Sequence, residues 1–173
     1  MTPHSVFIGQ IQETIQFTIR TLHIHPVSGF IFIRQDISNS CLGVHIRRGD
    51  YAQWRNGQYF FDDAVYAAYI NKFAEMHPDK TIHVYLSTND SQVTADAYQQ
   101  LCPKVAVHHL QGSAPEDLFM LSECDYVIGP PSTFSLVAAM YRDIPLYRMD
   151  TADAAQMMEE GYKRFAYWFQ NMV

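Results

Sequence analysis

The chain is poor in cysteine, with three in 173 residues, and their number and spacing argue against two kinds of cross-linked protein. Cys41, Cys102 and Cys124 form no Cys-x-x-Cys pair, so neither a disulfide framework nor a structural zinc site is indicated. We interpret them as reduced thiols, which are typical of a cytoplasmic protein.

Long apolar runs and an excess of basic residues are also lacking. No segment approaches the roughly 20 apolar residues of a membrane span, and the chain start lacks a signal-peptide pattern, so we expect a soluble protein. Twelve Lys and Arg against 18 Asp and Glu give a net charge of −6. This charge excludes an overall positive electrostatic potential of the kind that attracts nucleic acid. Any anion site must therefore be local.

Several catalytic signatures are missing as well. The sequence has no Gly-x-Gly-x-x-Gly, no phosphate-loop Gly-Lys-Ser/Thr, no Gly-x-Ser-x-Gly and no His-Glu-x-x-His, so dehydrogenases, P-loop hydrolases, serine hydrolases and zincins are unsupported. It also has no Asp-x-Asp, the carboxylate pair that often clamps a divalent metal to a nucleotide diphosphate. His23, His25, His108 and His109 lack a third ligand partner, and we predict no metal site.

Apolar residues are plentiful, at 48% with 11 Phe and 11 Tyr, so the chain folds around a full-sized core as one domain over residues 1–173. Short β-branched and aromatic runs predict strands at 41–46, 81–86, 104–108, 126–128 and 144–147. Helical patterns occupy 7–19, 62–78, 91–101, 115–123, 134–141 and 152–170. This alternation predicts an α/β fold with a doubly wound, mostly parallel, Rossmann-like sheet. We expect residues 1–40 to form an N-terminal helix and a connecting segment, residues 41–148 the core, and residues 149–173 a C-terminal helix.

The first motif, residues 45–51, follows the first predicted strand of the core. Arg47 and Arg48 are adjacent there, and since Arg presents a planar fork to phosphate oxygens, the pair suits a diphosphate. The alternative is a solvated pair of arginines that bridges to Asp36 or Asp50. In parallel α/β sheets ligands bind beyond the carboxyl ends of the strands, where this pair lies, but the residues alone leave both interpretations open.

The second motif, residues 129–135, joins the fourth strand to a helix. Its hydroxyls on Ser132, Thr133 and Ser135 surround a helix start, where free N–H groups and the helix dipole attract an anion. Plain helix capping after the Pro130-Pro131 turn is the alternative.

Two further acidic segments carry weaker signals. Asp90 ends the second strand, where its carboxylate suits a purine base or a ribose hydroxyl, and Glu116 and Asp117 begin a helix. Capping of the following helix is the interpretation that the sequence favours for Asp90, and Glu116 and Asp117 have the same ambiguity.

Together and in this order, these motifs resemble the fucosyltransferases that use GDP-fucose, most closely the α-1,2-fucosyltransferase family. The hallmark segment of that family is similar to residues 44–51, its acidic strand end to residues 85–90, and its later stretch to residues 116–128 and 132–135. The resemblance spans residues 41 to 148.

The resemblance implies roles for these residues. Arg47 and Arg48 would hold the diphosphate and neutralise the leaving GDP, and His45 and Asp90 would contact the guanine. The resemblance does not identify the base that deprotonates the acceptor, and Asp50 is a candidate only if its side chain faces the cleft. The remaining substrate contacts it implies are Ser132, Thr133, Phe134, Ser135, Glu116 and Asp117. The family is inverting and needs no metal or other cofactor, so the arginines would supply the leaving-group stabilisation.

The resemblance also implies an architecture and partners. Family members have a two-domain, GT-B type cleft, and we expect this chain to be the donor half, with a nucleotide-sugar donor and a glycan acceptor as partners. A lipid-linked acceptor would bring it to a membrane surface, and a second copy of the chain is one way to complete the cleft. The alternatives are a non-catalytic nucleotide-sugar or carbohydrate-binding module and an inactive, truncated transferase.

Overall fold

The structure, a computed structural model, describes residues 38–171. The predicted helix at 7–19 therefore lies outside the described residues. The strands are β1 (Asn39–Ile46), β2 (Thr81–Thr88), β3 (Ala106–His109), β4 (Tyr126–Gly129) and β5 (Leu146–Arg148). The helices are α1 (Asp63–Met76), α2 (Ala95–Leu101), α3 (Ala114–Ser122), α4 (Thr133–Arg142) and α5 (Phe165–Gln170).

The five strands form one parallel sheet in the order β3-β2-β1-β4-β5. The chain moves outward from β1 to β3 and then returns to the other side of β1, so the order reverses between β1 and β4. Right-handed crossovers in opposite directions place helices on opposite faces of a sheet. The structure thus confirms the predicted doubly wound, Rossmann-like fold.

Alternation along β1 divides the core into two layers. Leu42, Val44 and Ile46 pack with aromatic side chains of α1 and α2 on one face. Cys41 on the opposite face packs with residues of α3 and α4. Side chains of neighbouring residues in a strand point to opposite faces, so this division also fixes which way the residues beyond β1 point.

Local signals set the helix boundaries. The side chain of Asp62 accepts a hydrogen bond from the Val65 N–H at 2.9 Å and so caps α1. Thr94 caps α2 through the Ala97 N–H at 3.3 Å, so this helix starts at Ala95 and not near residue 91. Within residues 38–171 no helix has the length and hydropathy to cross a membrane.

The predicted C-terminal helix over residues 152–170 is wrong for most of its length. Two 3-10 turns, Ala154–Gln156 and Glu159–Gly161, replace its first half, and only α5 is α-helical. Lys163 is held extended because it exchanges backbone hydrogen bonds of 2.9 and 3.0 Å with Leu146. Pairing with the sheet edge overrides the helix propensity of this Ala-, Met- and Glu-rich segment.

Candidate active site

A cleft of about 560 Å³ opens beyond the carboxyl ends of β1, β4 and β5. Its volume lies within the range of about 300–1,000 Å³ typical of small-molecule sites, and it adjoins the point where the strand order reverses. The residues that line it are Arg47, Asp50, Tyr51, Trp54, Pro130, Pro131, Ser132, Thr133, Phe134, Ser135, Leu136, Leu146, Arg148 and Trp168. The cleft therefore contains six of the predicted site residues.

The start of α4 lies in this cleft. Ser132 is its N-cap, with a side chain that accepts from the Phe134 N–H at 3.2 Å, and the Ser135 hydroxyl donates to the Ser132 carbonyl at 3.3 Å. Ser132 therefore caps α4, as the alternative interpretation of the sequence has it. The helix is ten residues long, and the positive end of its dipole, at the N-terminus, lies at the cleft.

The two adjacent arginines separate. Arg47 lies in the cleft, about one-third exposed, with its Nη2 2.9 Å from Asp50 Oδ1. Arg48 points to the other face of the sheet, where its Nη2 lies 2.5 Å from Asp63 Oδ1 and its Nη1 3.4 Å from Asp90 Oδ2. Strand-like alternation continues beyond β1 and explains the separation.

Arg48 belongs to a network that anchors the loop after β1. The Tyr98 hydroxyl donates to Asp63 Oδ1 at 2.8 Å, on the oxygen that also binds Arg48. The side chain of Asn89 makes two hydrogen bonds to the Arg48 backbone, at 2.8 and 3.1 Å. Gly49 follows with a φ of +65°, a conformation that suits glycine. Arg48 and Asp90 therefore do not line the cleft, and they connect the loop to α1 and α2.

His45 lies beneath the cleft and does not line it. Its side chain is only 3% exposed and packs against Phe134, with ring centres 5.0 Å apart. Burial, and to a lesser degree the charge of Arg47, lowers its pKa from 6.5 to about 3, so the ring is neutral at ordinary pH. His45 and Asp90, both expected at the guanine, are on opposite faces of the sheet.

We expect His45 to make the protein acid-sensitive. The unfolded chain protonates this residue below pH 6.5 but the folded chain only near pH 3, so stability is full above 6.5 and falls as the pH drops through that window. The expected loss between about pH 8 and about pH 5 is about 2 kcal/mol in the free energy of unfolding. Urea unfolding of wild type and His45→Gln at both pH values measures it. An identical pH dependence of the two proteins would contradict the assignment.

Glu116 and Asp117 also lie outside the lining of the cleft. Glu116 Oε2 accepts from the N–H and hydroxyl of Ser113 at 2.7 and 2.6 Å, which completes a capping box at the start of α3. Asp117 Oδ2 accepts from the Ser87 hydroxyl at 2.8 Å, and burial raises its pKa. The capping alternative accounts for Glu116.

Arg148 and Trp168 also line the cleft, and neither belongs to a motif that the sequence reveals. Arg148 ends β5, and its guanidinium carbon lies 4.6 Å from the centre of the Trp168 ring. The available signal was its position, since it is an arginine at the carboxyl end of a predicted strand in a parallel sheet. Trp168 lies in α5. The sequence predicts one long helix over residues 152–170, and nothing in that pattern places Trp168 at the cleft.

The loop after β1 supplies an aromatic wall. The Tyr51 hydroxyl donates to the Pro131 carbonyl at 2.5 Å and so ties this loop to the β4–α4 turn. Trp54, which is 38% exposed, lies 4.8 Å from the Tyr51 ring centre. In the part of the chain that the structure describes, no three His, Cys, Asp or Glu side chains group to hold a metal ion.

A parallel, doubly wound sheet with arginines and a helix N-terminus at its switch point defines an α/β domain whose cleft has the charge and the N–H donors to hold an anion. The sequence model of glycosyl transferase family 11 matches residues 9–165, and the chain belongs to this family. A search of curated proteins finds no match.

The family match confirms the resemblance to fucosyltransferases drawn from the motifs. The protein is a fucosyltransferase-like glycosyltransferase, a class that takes a nucleotide-sugar donor and a glycan acceptor.

Proposed function

We propose that this protein transfers fucose from GDP-fucose to a glycan hydroxyl with inversion and without a metal ion. The observation that carries the proposal is the joint presence of Arg47 and the α4 N-terminus in one cleft at the switch point. Both attract anions, and the hydroxyls of Ser132 and Thr133 add hydrogen-bond donors for phosphate oxygens. A nucleoside diphosphate fits this combination of charge and donors.

In the proposed reaction, the acceptor oxygen attacks C1 of fucose from the side opposite the diphosphate. The C1–oxygen bond to the β-phosphate breaks, and GDP leaves with the bonding electron pair. Negative charge therefore grows on the β-phosphate, where Arg47 and the helix dipole stabilise it. This electrostatic help is the role that a metal ion has in other diphosphate-sugar transferases.

Asp50 is the proposed base that takes the acceptor proton. Its side chain is 60% exposed, lines the cleft and lies 2.9 Å from Arg47. A base must be within hydrogen-bond reach of the hydroxyl it deprotonates, and Asp50 is the one carboxylate among the described lining residues. We also propose a cytoplasmic location, because the three cysteines are buried and form no disulfide with one another. A lipid-linked acceptor and a homo-oligomeric state stay predictions.

A thermal-shift panel tests the donor and the role of metal. We expect GDP and GDP-fucose to stabilise the protein by about 2.7 kcal/mol at 100 times the dissociation constant, equally with EDTA and with magnesium. UDP-sugars are the matched controls and should give smaller shifts. GDP release in the presence of a panel of galactosides then measures transfer. Binding that EDTA abolishes and magnesium restores would refute the metal-independent site, and binding without transfer would favour a non-catalytic module.

A further inference from the structure

We propose that Arg148 is the second cationic residue of the diphosphate site. It would have the role that the family resemblance implies for Arg48. This inference rests on the proposed function and names a residue for the same site.

The register of the sheet places Arg148 on the same face as Arg47. In the β4–β5 pairing Gly129 is opposite Arg148, as Val127 is opposite Leu146, and paired residues share a face. A Cβ on Gly129 would lie 3.1 Å from the Cβ of His45, so Gly129 is also on the His45 side. Arg47, two residues after His45, continues on this side. One strand separates β1 from β5, which puts their backbones about 10 Å apart.

The Arg148 side chain is oriented toward the cleft before any ligand binds. Its guanidinium lies against the Trp168 ring, and the Trp168 indole N–H donates to the Leu146 carbonyl at 3.2 Å, which fixes the ring. The Nε of Arg148 donates to Asp150 Oδ1 at 2.9 Å. Within residues 38–171 its two terminal nitrogens have no hydrogen-bond partner, so they are available to a phosphate.

Arg48 is engaged differently. Its side chain is 15% exposed, against 35% for Arg148, and two carboxylates bind both of its terminal nitrogens. Binding a phosphate through Arg48 would require breaking those ion pairs. Arg148 needs no such exchange, because Asp150 occupies only its Nε.

With Arg148 included, the cleft has a cation on each side of the α4 N-terminus. Arg47 comes from the β1 side and Arg148 from the β5 side, and β4, which leads into α4, lies between them. A diphosphate carries charge on two phosphorus centres, which two separated guanidiniums neutralise better than one. As the bond from C1 to the β-phosphate oxygen breaks, Arg148 stabilises the electron pair that stays on the diphosphate.

Calorimetric titration of the full chain with GDP and with GMP tests this assignment. For Arg148→Ala we expect GDP to bind about 10- to 100-fold more weakly, the loss typical of a charge-assisted contact, and GMP to bind within about twofold of wild type. Arg164→Ala removes an exposed arginine that pairs with Asp143 outside the cleft, and it should change neither affinity. Arg148→Lys keeps the charge, and we expect an intermediate GDP affinity.

Unchanged GDP affinity in Arg148→Ala, with GDP binding by wild type intact, would overturn the role of Arg148 and leave the proposed function standing. Equal weakening of GDP and GMP would also overturn it, because a contact to the β-phosphate discriminates between them. Failure of the wild type to bind GDP would instead refute the proposed function. If the melting curve shows that Arg148→Ala does not fold, the GDP and GMP affinities of Arg148→Lys are compared with those of the wild type instead.

Discussion

Replacing Arg47 with alanine should lower kcat/KM for transfer from GDP-fucose by about 10²- to 10³-fold, the usual cost of losing one preorganised donor to a developing anion. GDP binding should weaken as well, by about 1.5 to 3 kcal/mol. The melting temperature should barely change, because the Arg47–Asp50 ion pair is exposed and such pairs contribute about 0 to 1 kcal/mol. Initial rates of GDP release, calorimetry with GDP and a melting curve measure the three effects.

Asp50→Asn is the matched control, since it breaks the same ion pair from the other side. It should keep or tighten GDP binding, because Arg47 loses a competing carboxylate, while transfer falls with the loss of the proposed base. The two variants thus separate binding from proton removal. Wild-type GDP affinity in Arg47→Ala would rule out its contact with the diphosphate.

Arg48→Ala should act mainly on stability, with a loss of about 1.5 to 3 kcal/mol in the free energy of unfolding. The side chain is only 15% exposed, and its removal leaves Asp63 and Asp90 without their cation beside the buried Tyr98. Urea unfolding at neutral pH measures the loss. We expect a smaller loss for Tyr98→Phe, which removes one hydrogen bond and keeps the ion pairs.

A double-mutant cycle of Arg48→Ala with Asp63→Asn tests the mechanism of that loss. Because the two side chains are 2.5 Å apart, the combined loss should be smaller than the sum of the single losses. GDP affinity at a temperature where all variants are folded provides the second readout. Unchanged stability of Arg48→Ala together with lost GDP binding would show that Arg48 contacts the diphosphate after all.

Arg47 and Arg48 are adjacent in the chain, but their side chains lie on opposite faces of the sheet. The sequence places Arg47 and Arg48 side by side, which favours a shared phosphate. Alternation beyond β1 sends one to the cleft and the other to Asp63 and Asp90 on the opposite face. The same alternation was visible in the sequence for Val44 and Ile46, but the sequence contains no information on which face holds the carboxylates.

The burial of His45 could not be predicted from the sequence. The family resemblance implies that this residue contacts the substrate, but in the structure Phe134 packs against it and it is buried. Arg148 and Trp168 illustrate the converse, because neither belongs to a motif and both line the cleft. They reach it through the pairing of β5 with β4 and through the docking of α5, contacts between segments distant in sequence.

What the sequence by itself determined is local: the five strands, the capped helices, the polar turns after β1 and β4, and the family to which they belong. Hydrophobic period, caps and turn residues act over a few positions, so a linear pattern suffices to predict them. Strand order, the face on which each side chain lies, and the broken C-terminal segment were decided only by the tertiary structure. These depend on which apolar surfaces are buried together, and that free energy arises from contacts between residues far apart in the chain.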